Sequence, residues 1–162
     1  KNYTCIIEAL RDLPNTKLLI AGAPANSSVD VESLKKFSQE IGVYNQIVWY
    51  IRFLTDQELA SCIEASTVIL LYYQPQFTSQ SGILNLIAPY QKKFVYSDIE
   101  SGLAKVCKKY SVGIPCRPNS TSDFVQCIAQ INGVLVTEST SNWDAYLRNA
   151  DWSSIYKDIE LK

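Results

Sequence analysis

The residues best equipped for chemistry sit in one short stretch, Thr78-Ser79-Gln80-Ser81-Gly82-Ile83. There, hydroxyls, a side-chain amide and a glycine gather just ahead of an apolar segment that runs to Ala88. Hydroxyls, an amide and unpaired backbone N–H groups at the positive end of a helix form a site for phosphate or for sugar hydroxyls. The same residues also suit a purely structural role, with Ser79 or Ser81 capping the helix and Gly82 allowing close packing. What the chain lacks narrows the chemistry further. It contains no histidine, which removes His-based acid and base catalysis, Ser-His and Cys-His nucleophile pairs and the commonest zinc and iron sites. The five cysteines, Cys5, Cys62, Cys107, Cys116 and Cys127, are widely spaced and form no C-x-x-C pair. They read as reduced thiols of a cytosolic interior, with no metal site expected. The turn Gly22-Ala23-Pro24-Ala25-Asn26 is neither a G-x-G-x-x-G fingerprint nor a G-x-x-x-x-G-K-[ST] loop, so dinucleotide and P-loop readings fail.

Composition sets the frame around that stretch. With 162 residues, 47% of them hydrophobic and 19% charged, the chain falls in the globular range and suits one domain, residues 1–162. A chain of this length hides roughly 70% of its extended surface on folding, enough to hold a core without disulfides or metal. The formal net charge of −1 carries no electrostatic footprint for nucleic acid or an anionic membrane. The longest apolar run, Thr67 to Tyr73, is too short to cross a bilayer. Three Asn-x-Ser/Thr triplets, starting at Asn2, Asn26 and Asn119, are read as chance occurrences, and the protein is expected to be soluble and cytoplasmic.

The elements that must position the Thr78–Ile83 stretch follow from periodicity. Ile6, Leu10 and Leu13 fall at helical spacing, and Lys17–Gly22 is a short apolar run closed by glycine, the pattern of a strand buried on both faces. Asp30 opens a helix carrying Leu34, Phe37 and Ile41 on one face, with Gly42 just past its end. Gln46–Ile51 reads as a strand, and Thr55-Asp56-Gln57-Glu58 as a capping box for a helix ending near Ser66. The strand Thr67–Tyr73, a polar loop, the apolar segment Gly82–Ala88 halted by Pro89 and the strand Lys93–Ser97 come next. A helix from Gly102 to Tyr110, a strand Val112–Cys116 and a helix bearing Phe124, Cys127, Ile128 and Ile131 complete the alternation. The expected fold is therefore α/β, a Rossmann-like parallel sheet with helices on both faces. Residues 138–162 are expected to form a helical C-terminal tail anchored by Trp143, Trp152 and Ile155. Ligands of such folds collect beyond the carboxyl ends of the strands, where Arg52-Phe53-Leu54 and the Gln74–Leu84 loop fall. Lys105, Lys108 and Lys109 share a helix face, read as solvated rather than membrane-seeking because no apolar insertion stripe accompanies them.

From Lys1 to about Ile159 the sequence resembles the C-terminal, donor-binding domain of GT-B glycosyltransferases of family 4 (group 1), one half of a GT-B fold. KNYTCIIEALRDLPNTKLLIAG resembles the family's Lys-Gly or Lys-Asn start, its IEAL-type helix and a strand ending in Gly. IRFLTDQELASCIEASTVILLYY is similar to its strand, capped helix and aliphatic strand, with Thr67 where many members have Asp. TSQSGILNLIAPYQKKFVYSDIESGLAKV resembles the segment that elsewhere reads roughly E-S-F-G-I-x-x-L-E-A-M-A-x-G-x-P-V-V-x-T-D, in the Gln-Ser-Gly-Ile-Leu form of a subset of bacterial polysaccharide enzymes.

The resemblance implies a donor site. Lys1 matches the lysine that contacts the donor diphosphate, and Arg52 and Phe53 fall where the family lines the base pocket. Thr78, Ser79, Gln80, Ser81, Gly82 and Ile83 form the phosphate and sugar loop. Ser79 stands at the first glutamate of the family's E-x7-E pair and Ile87 at the second, so both carboxylates are replaced. Two expectations follow from that departure: an active enzyme of the Gln-Ser-Gly type, or a degenerate binding or scaffold domain without transferase activity. For the parent enzyme the resemblance implies a hexosyl-type transfer from a nucleotide-diphosphate sugar to a sugar or lipid-linked acceptor, in polysaccharide or glycoconjugate biosynthesis. The transfer retains anomeric configuration and uses neither metal nor cofactor. It further implies an N-terminal acceptor domain and a first strand upstream of Lys1, an inactive isolated domain, and peripheral contact of the full protein with the inner membrane face.

Overall fold

The computed structural model describes residues 1–24, 29–133 and 142–150. In chain order its elements are α1 (Tyr3–Ala9), β1 (Leu18–Ala21), α2 (Val31–Glu40), β2 (Ile47–Tyr50), α3 (Asp56–Ala65), β3 (Val68–Leu71), α4 (Gly82–Ile87), β4 (Lys93–Ser97), α5 (Gly102–Tyr110), β5 (Ile114–Cys116), α6 (Thr121–Gly133) and α7 (Trp143–Ala150). The strict alternation appears as expected, and every strand pairing is parallel. The helix starts also follow the sequence. Asp30 accepts the Ser33 N–H at 3.0 Å to cap α2, and Thr55 and Glu58 satisfy each other's backbone amides at the start of α3.

The sheet comes in two pieces. β1 pairs with β2, Leu18 opposite Ile47 through Ala21 opposite Tyr50, while β4 lies between β3 and β5. Successive residues of a strand point to opposite faces, and here each face has its own core. Leu18, Ile47, Tyr72, Val95 and Cys116 pack with Ile7 and Leu10 of the α1 region and Phe124 and Ile128 of α6. Leu71, Phe94 and Tyr96 pack on the other side with Leu84 and Ile87 of α4, Leu103 and Cys107 of α5 and Trp143 of α7. Trp143 is thus the anchor the sequence suggested, with its ring 5.5 Å from that of Phe94. Trp152 and Ile155 lie outside the described residues, as does Asn26. Asn2 is buried and its side-chain amide donates to Asn119 Oδ1 at 2.8 Å, so two of the three glycosylation triplets serve an internal contact. All five cysteines are free thiols, and burial pushes the Cys107 thiol up to about 12, far from reactivity.

Every strand but β4 is shorter than periodicity implied, β1 and β2 by one residue at each end, and β3 and β5 each for a local reason. β3 ends at Leu71 because the Tyr73 N–H donates to Ser97 Oγ at 2.6 Å, and that hydroxyl donates back to the Tyr73 carbonyl at 2.7 Å. A side chain has replaced the ladder. β5 starts at Ile114 because Gly113 takes φ +74°, outside the extended region. Pro115 is tolerated because β5 is an edge strand. A Cβ on Gly113 would overlap the ring of Phe94, which is fully buried and has no room to yield. Gly113→Ala is therefore expected to cost about 2–4 kcal/mol from combined strain and overpacking, read from the chemical-denaturation midpoint of the two proteins.

Candidate functional site at the carboxyl rim

Helices cover both faces of β3 and β4, while Leu19 of β1 and Val48 of β2 stay exposed, and open polar backbone gathers where the strands end. At the carboxyl end of β3, Tyr73 is the organising residue. Its ring lies 3.9 Å from that of Phe77, nearly parallel at 10°. Its hydroxyl is 2.8 Å from Ser81 Oγ, and the Lys1 ammonium sits 4.0 Å from its ring centroid. Lys1 Nζ also donates to the Leu70 carbonyl at 2.9 Å, and the Asn2 N–H to the Tyr72 carbonyl at 3.1 Å. Lys1 is therefore packed against the rim, and its desolvation there pushes the ammonium down to about 7. Burial likewise raises the Tyr73 phenol above its usual value.

The Gln74–Ser81 loop leans on the start of α5. The Gly102 N–H donates to the Thr78 carbonyl at 2.8 Å and the Leu103 N–H to the Ser79 carbonyl at 3.2 Å. Ser101 Oγ takes the Ala104 N–H at 3.1 Å. The first amides of α5 are thus occupied from within the chain. A Cβ on Gly102 would come within 2.8 Å of Gln80 Cγ and 3.0 Å of Gln80 N, so this approach requires glycine. The start of α4 is different. Ser81 occupies the cap position but makes no side-chain cap, its hydroxyl being turned to Tyr73. The structural alternative raised for Ser81 therefore does not describe it, and Ser79 offers its carbonyl to α5 rather than its side chain to α4. Thr78, Ser79, Gln80, Gly82 and Ile83 are exposed, while Ser81 is buried.

Arg52 and Phe53 stand at the end of β2. Arg52 Nη1 donates to the Phe53 carbonyl at 2.9 Å and to Glu58 Oε2 at 3.1 Å, Nη2 is bonded to Glu58 Oε1 and the Tyr50 hydroxyl, and the guanidinium lies 4.4 Å from the Tyr50 ring centroid. The guanidinium is thus engaged by the capping box, leaving Phe53, 87% exposed, as the open flat surface of this corner. At the second glutamate position of the E-x7-E pattern, Ile87 is fully buried in the α4 core. Tyr73 is the residue that sequence reasoning missed. It closes an aliphatic run and looks like more strand, and only its position ahead of a hydroxyl-rich loop hinted otherwise. Lys105, Lys108 and Lys109 are engaged by Glu100, Asp98 and the Tyr110 ring. Among the described residues, no group of three or more His, Cys, Asp or Glu could hold a metal ion, and no helix is long and apolar enough to cross a membrane.

No protein-family model and no curated protein matches the sequence. Solved structures do match the fold. Sucrose-phosphate synthase from Thermosynechococcus elongatus aligns over 99% of this chain and 41% of its own with a TM-score of 0.78 at 14% identity. HepE from Anabaena, solved in complex with UDP, aligns over 96% of this chain and 43% of its own, with a TM-score of 0.77 at 14% identity. The lipopolysaccharide outer core galactosyltransferase WaaB aligns over 96% and 43%, with a TM-score of 0.72 at 21% identity. The fold matches one Rossmann-like half of GT-B glycosyltransferases. The chain spans about two-fifths of the length of these structures.

The Arg52–Glu58 pair has a measurable signature. Hydrogen bonds from Arg52, then from the Thr55 N–H, hold the Glu58 carboxyl down to about 2 from a usual 4.5. A carboxylate depressed on folding contributes stability that is complete above the unfolded value and disappears as pH falls through the folded one. Glu58→Gln is expected to flatten the stability profile between pH 4.5 and about 2, its loss being full near neutrality and fading as the pH falls toward 2, as read by thermal melts across the pH range.

Proposed function

We propose that this chain is the C-terminal, donor-binding half of a family 4 (group 1) GT-B glycosyltransferase, and that it binds a nucleotide-diphosphate sugar at the carboxyl rim. The observation that carries this reading is the convergence of Lys1, Tyr73 and Ser81 beside the exposed Thr78–Ile83 loop. The fold, which matches glycosyltransferase structures over nearly the whole chain, supports it. In this reading the diphosphate lies against Lys1 and the amides and hydroxyls of Thr78 to Ile83, and the base stacks on Phe53. In glycosyl transfer from such a donor, negative charge develops on the departing diphosphate. A lysine ammonium and oriented amides stabilise that charge electrostatically without a metal or cofactor. Configuration is retained, and the hexosyl unit passes to a sugar or lipid-linked acceptor held by the other half of the enzyme, in polysaccharide or glycoconjugate synthesis at the inner membrane face.

A second reading, a GT-B-like binding or scaffold domain without transferase activity, draws on a specific observation. Ile87 is buried in the core, so the position that the resemblance assigns to a ribose-binding carboxylate offers nothing to a ligand.

Calorimetric titration with UDP-glucose and GDP-mannose separates the two. Binding at millimolar concentration or tighter supports the donor-site reading, and absence of binding by either sugar nucleotide defeats it. Lys1→Met is expected to weaken binding about 10- to 100-fold, the worth of a charge-assisted contact. Because the free ammonium titrates at about 7, affinity for UDP-glucose should fall as pH rises from 6.5 to 8.5, and that slope should vanish in the variant.

A further inference from the structure

The hydroxyl pair of Tyr73 and Ser81 holds more donors than it uses. The two oxygens lie 2.8 Å apart, and among the described residues each hydroxyl bonds only to the other. Each brings one proton and the bond between them consumes one, so a single O–H is left over whichever way the bond runs. Burial decides the direction. Ser81 is 6% exposed, whereas Tyr73 is only half-buried. A spare proton on Ser81 would be shut away from water as an unsatisfied donor. Ser81 therefore donates to the phenol oxygen, and the Tyr73 proton stays on the open side. Burial also holds the phenol above its usual value, which keeps that proton in place through the neutral range.

The proton is aimed as well as free. The Tyr73 backbone is pinned by Ser97 Oγ, which accepts from its N–H at 2.6 Å and donates to its carbonyl at 2.7 Å. The ring is held on both faces. Phe77 lies 3.9 Å away and nearly parallel, and the Lys1 ammonium stands 4.0 Å from the centroid. Two groups that near cannot share one face, so each covers its own. The hydroxyl edge is what the ring still offers to a ligand, with a cation beside it. Among the described residues no carboxylate pairs with Lys1. A spare hydroxyl proton next to an ammonium suits an anionic oxygen, since hydrogen bonds to a charged acceptor are the strong ones. We propose that Tyr73 is a phosphate-binding residue whose hydroxyl donates to a diphosphate oxygen of the nucleotide, and that Ser81 is a positioning residue that acts through it. This role presupposes the donor-site reading and adds to it a contact from the end of β3, outside the Thr78–Ile83 loop. A phenol that accepts one hydrogen bond is polarised into a better donor of the next, which is what Ser81 supplies.

The two roles separate in variants that break the same bond. Tyr73→Phe keeps the ring, and with it the contacts of Phe77 and Lys1, but removes the spare proton. Ser81→Ala leaves that proton on Tyr73 and removes only what orients it. Calorimetry uses whichever sugar nucleotide the wild-type chain binds, UDP-glucose or GDP-mannose, beside the corresponding nucleoside diphosphate. Affinity is expected to fall about 10- to 30-fold in Tyr73→Phe and about two- to fourfold in Ser81→Ala. The double variant should be no weaker than Tyr73→Phe, the factors should be the same with and without the sugar, and the thermal midpoints of the two single variants should fall alike. In the wild-type chain, the carbon-13 resonance of Tyr73 Cζ should move on adding the nucleoside diphosphate and stay in place with the bare nucleoside, a measurement that needs no variant to fold. Equal losses of affinity in the two single variants mean that the pair only braces the loop, and overturn the proposal. So does a Tyr73→Phe loss confined to the sugar nucleotide, or a Cζ shift that the nucleoside alone produces. Each of these leaves the donor site standing, whereas a wild-type chain that binds neither sugar nucleotide defeats the donor-site reading and this role together.

Discussion

Parallel pairing is the constraint from which the rest of this structure follows. A parallel strand cannot return through a tight turn, so each connection must leave at the carboxyl rim, cross a sheet face as a helix and re-enter at the opposite end. Those crossings cover both faces of β3 and β4, and each face there acquires its own core, one around Phe124 and Tyr72, the other around Phe94 and Leu103. Backbone polar groups are consequently left available at the rim, where the hydroxyl-rich loop and the Arg52-Phe53 corner both fall.

Within that rim, selection among polar groups is made by pairing. The first amides of α5 are taken by the Thr78 and Ser79 carbonyls, and the Arg52 guanidinium by Glu58, Tyr50 and Phe53. What is left open differs from what composition alone would emphasise. The start of α4 has no side-chain cap, the Phe53 ring faces outward, and a partly desolvated lysine is held over the ring of Tyr73. The rim thus combines flat apolar surface with cationic and hydroxyl groups, a mixture suited to a ligand that is itself part ring and part anion.

The legible features were those governed by neighbours a few residues apart. The Asp30 cap, the Thr55 and Glu58 box, the Gly42 stop and the Leu34, Phe37 and Ile41 stripe all depend on local geometry, and each stands where periodicity and capping chemistry put it. Strand ends were less legible. Tyr73 has the residue type of a strand, yet its backbone is claimed by Ser97 from a different strand, and nothing within a few residues of Tyr73 announces that. The role of Arg52 was similarly hidden, since a cation following a strand looks free until the capping glutamate is seen to reach it.

What the sequence determined by itself was the order and type of the elements, the parallel α/β class, the absence of histidine chemistry, and the stretch of polar residues placed where such a fold binds ligands. These depend on spacing along the chain, which needs no knowledge of what lies opposite. The tertiary structure alone decided that Tyr73 gathers Lys1 and Ser81, that Ile87 is sealed in a core, and that β1 and β3 stand apart around an apolar cavity. Each of these joins residues distant in sequence, and such pairings are settled only when all the helices have packed at once.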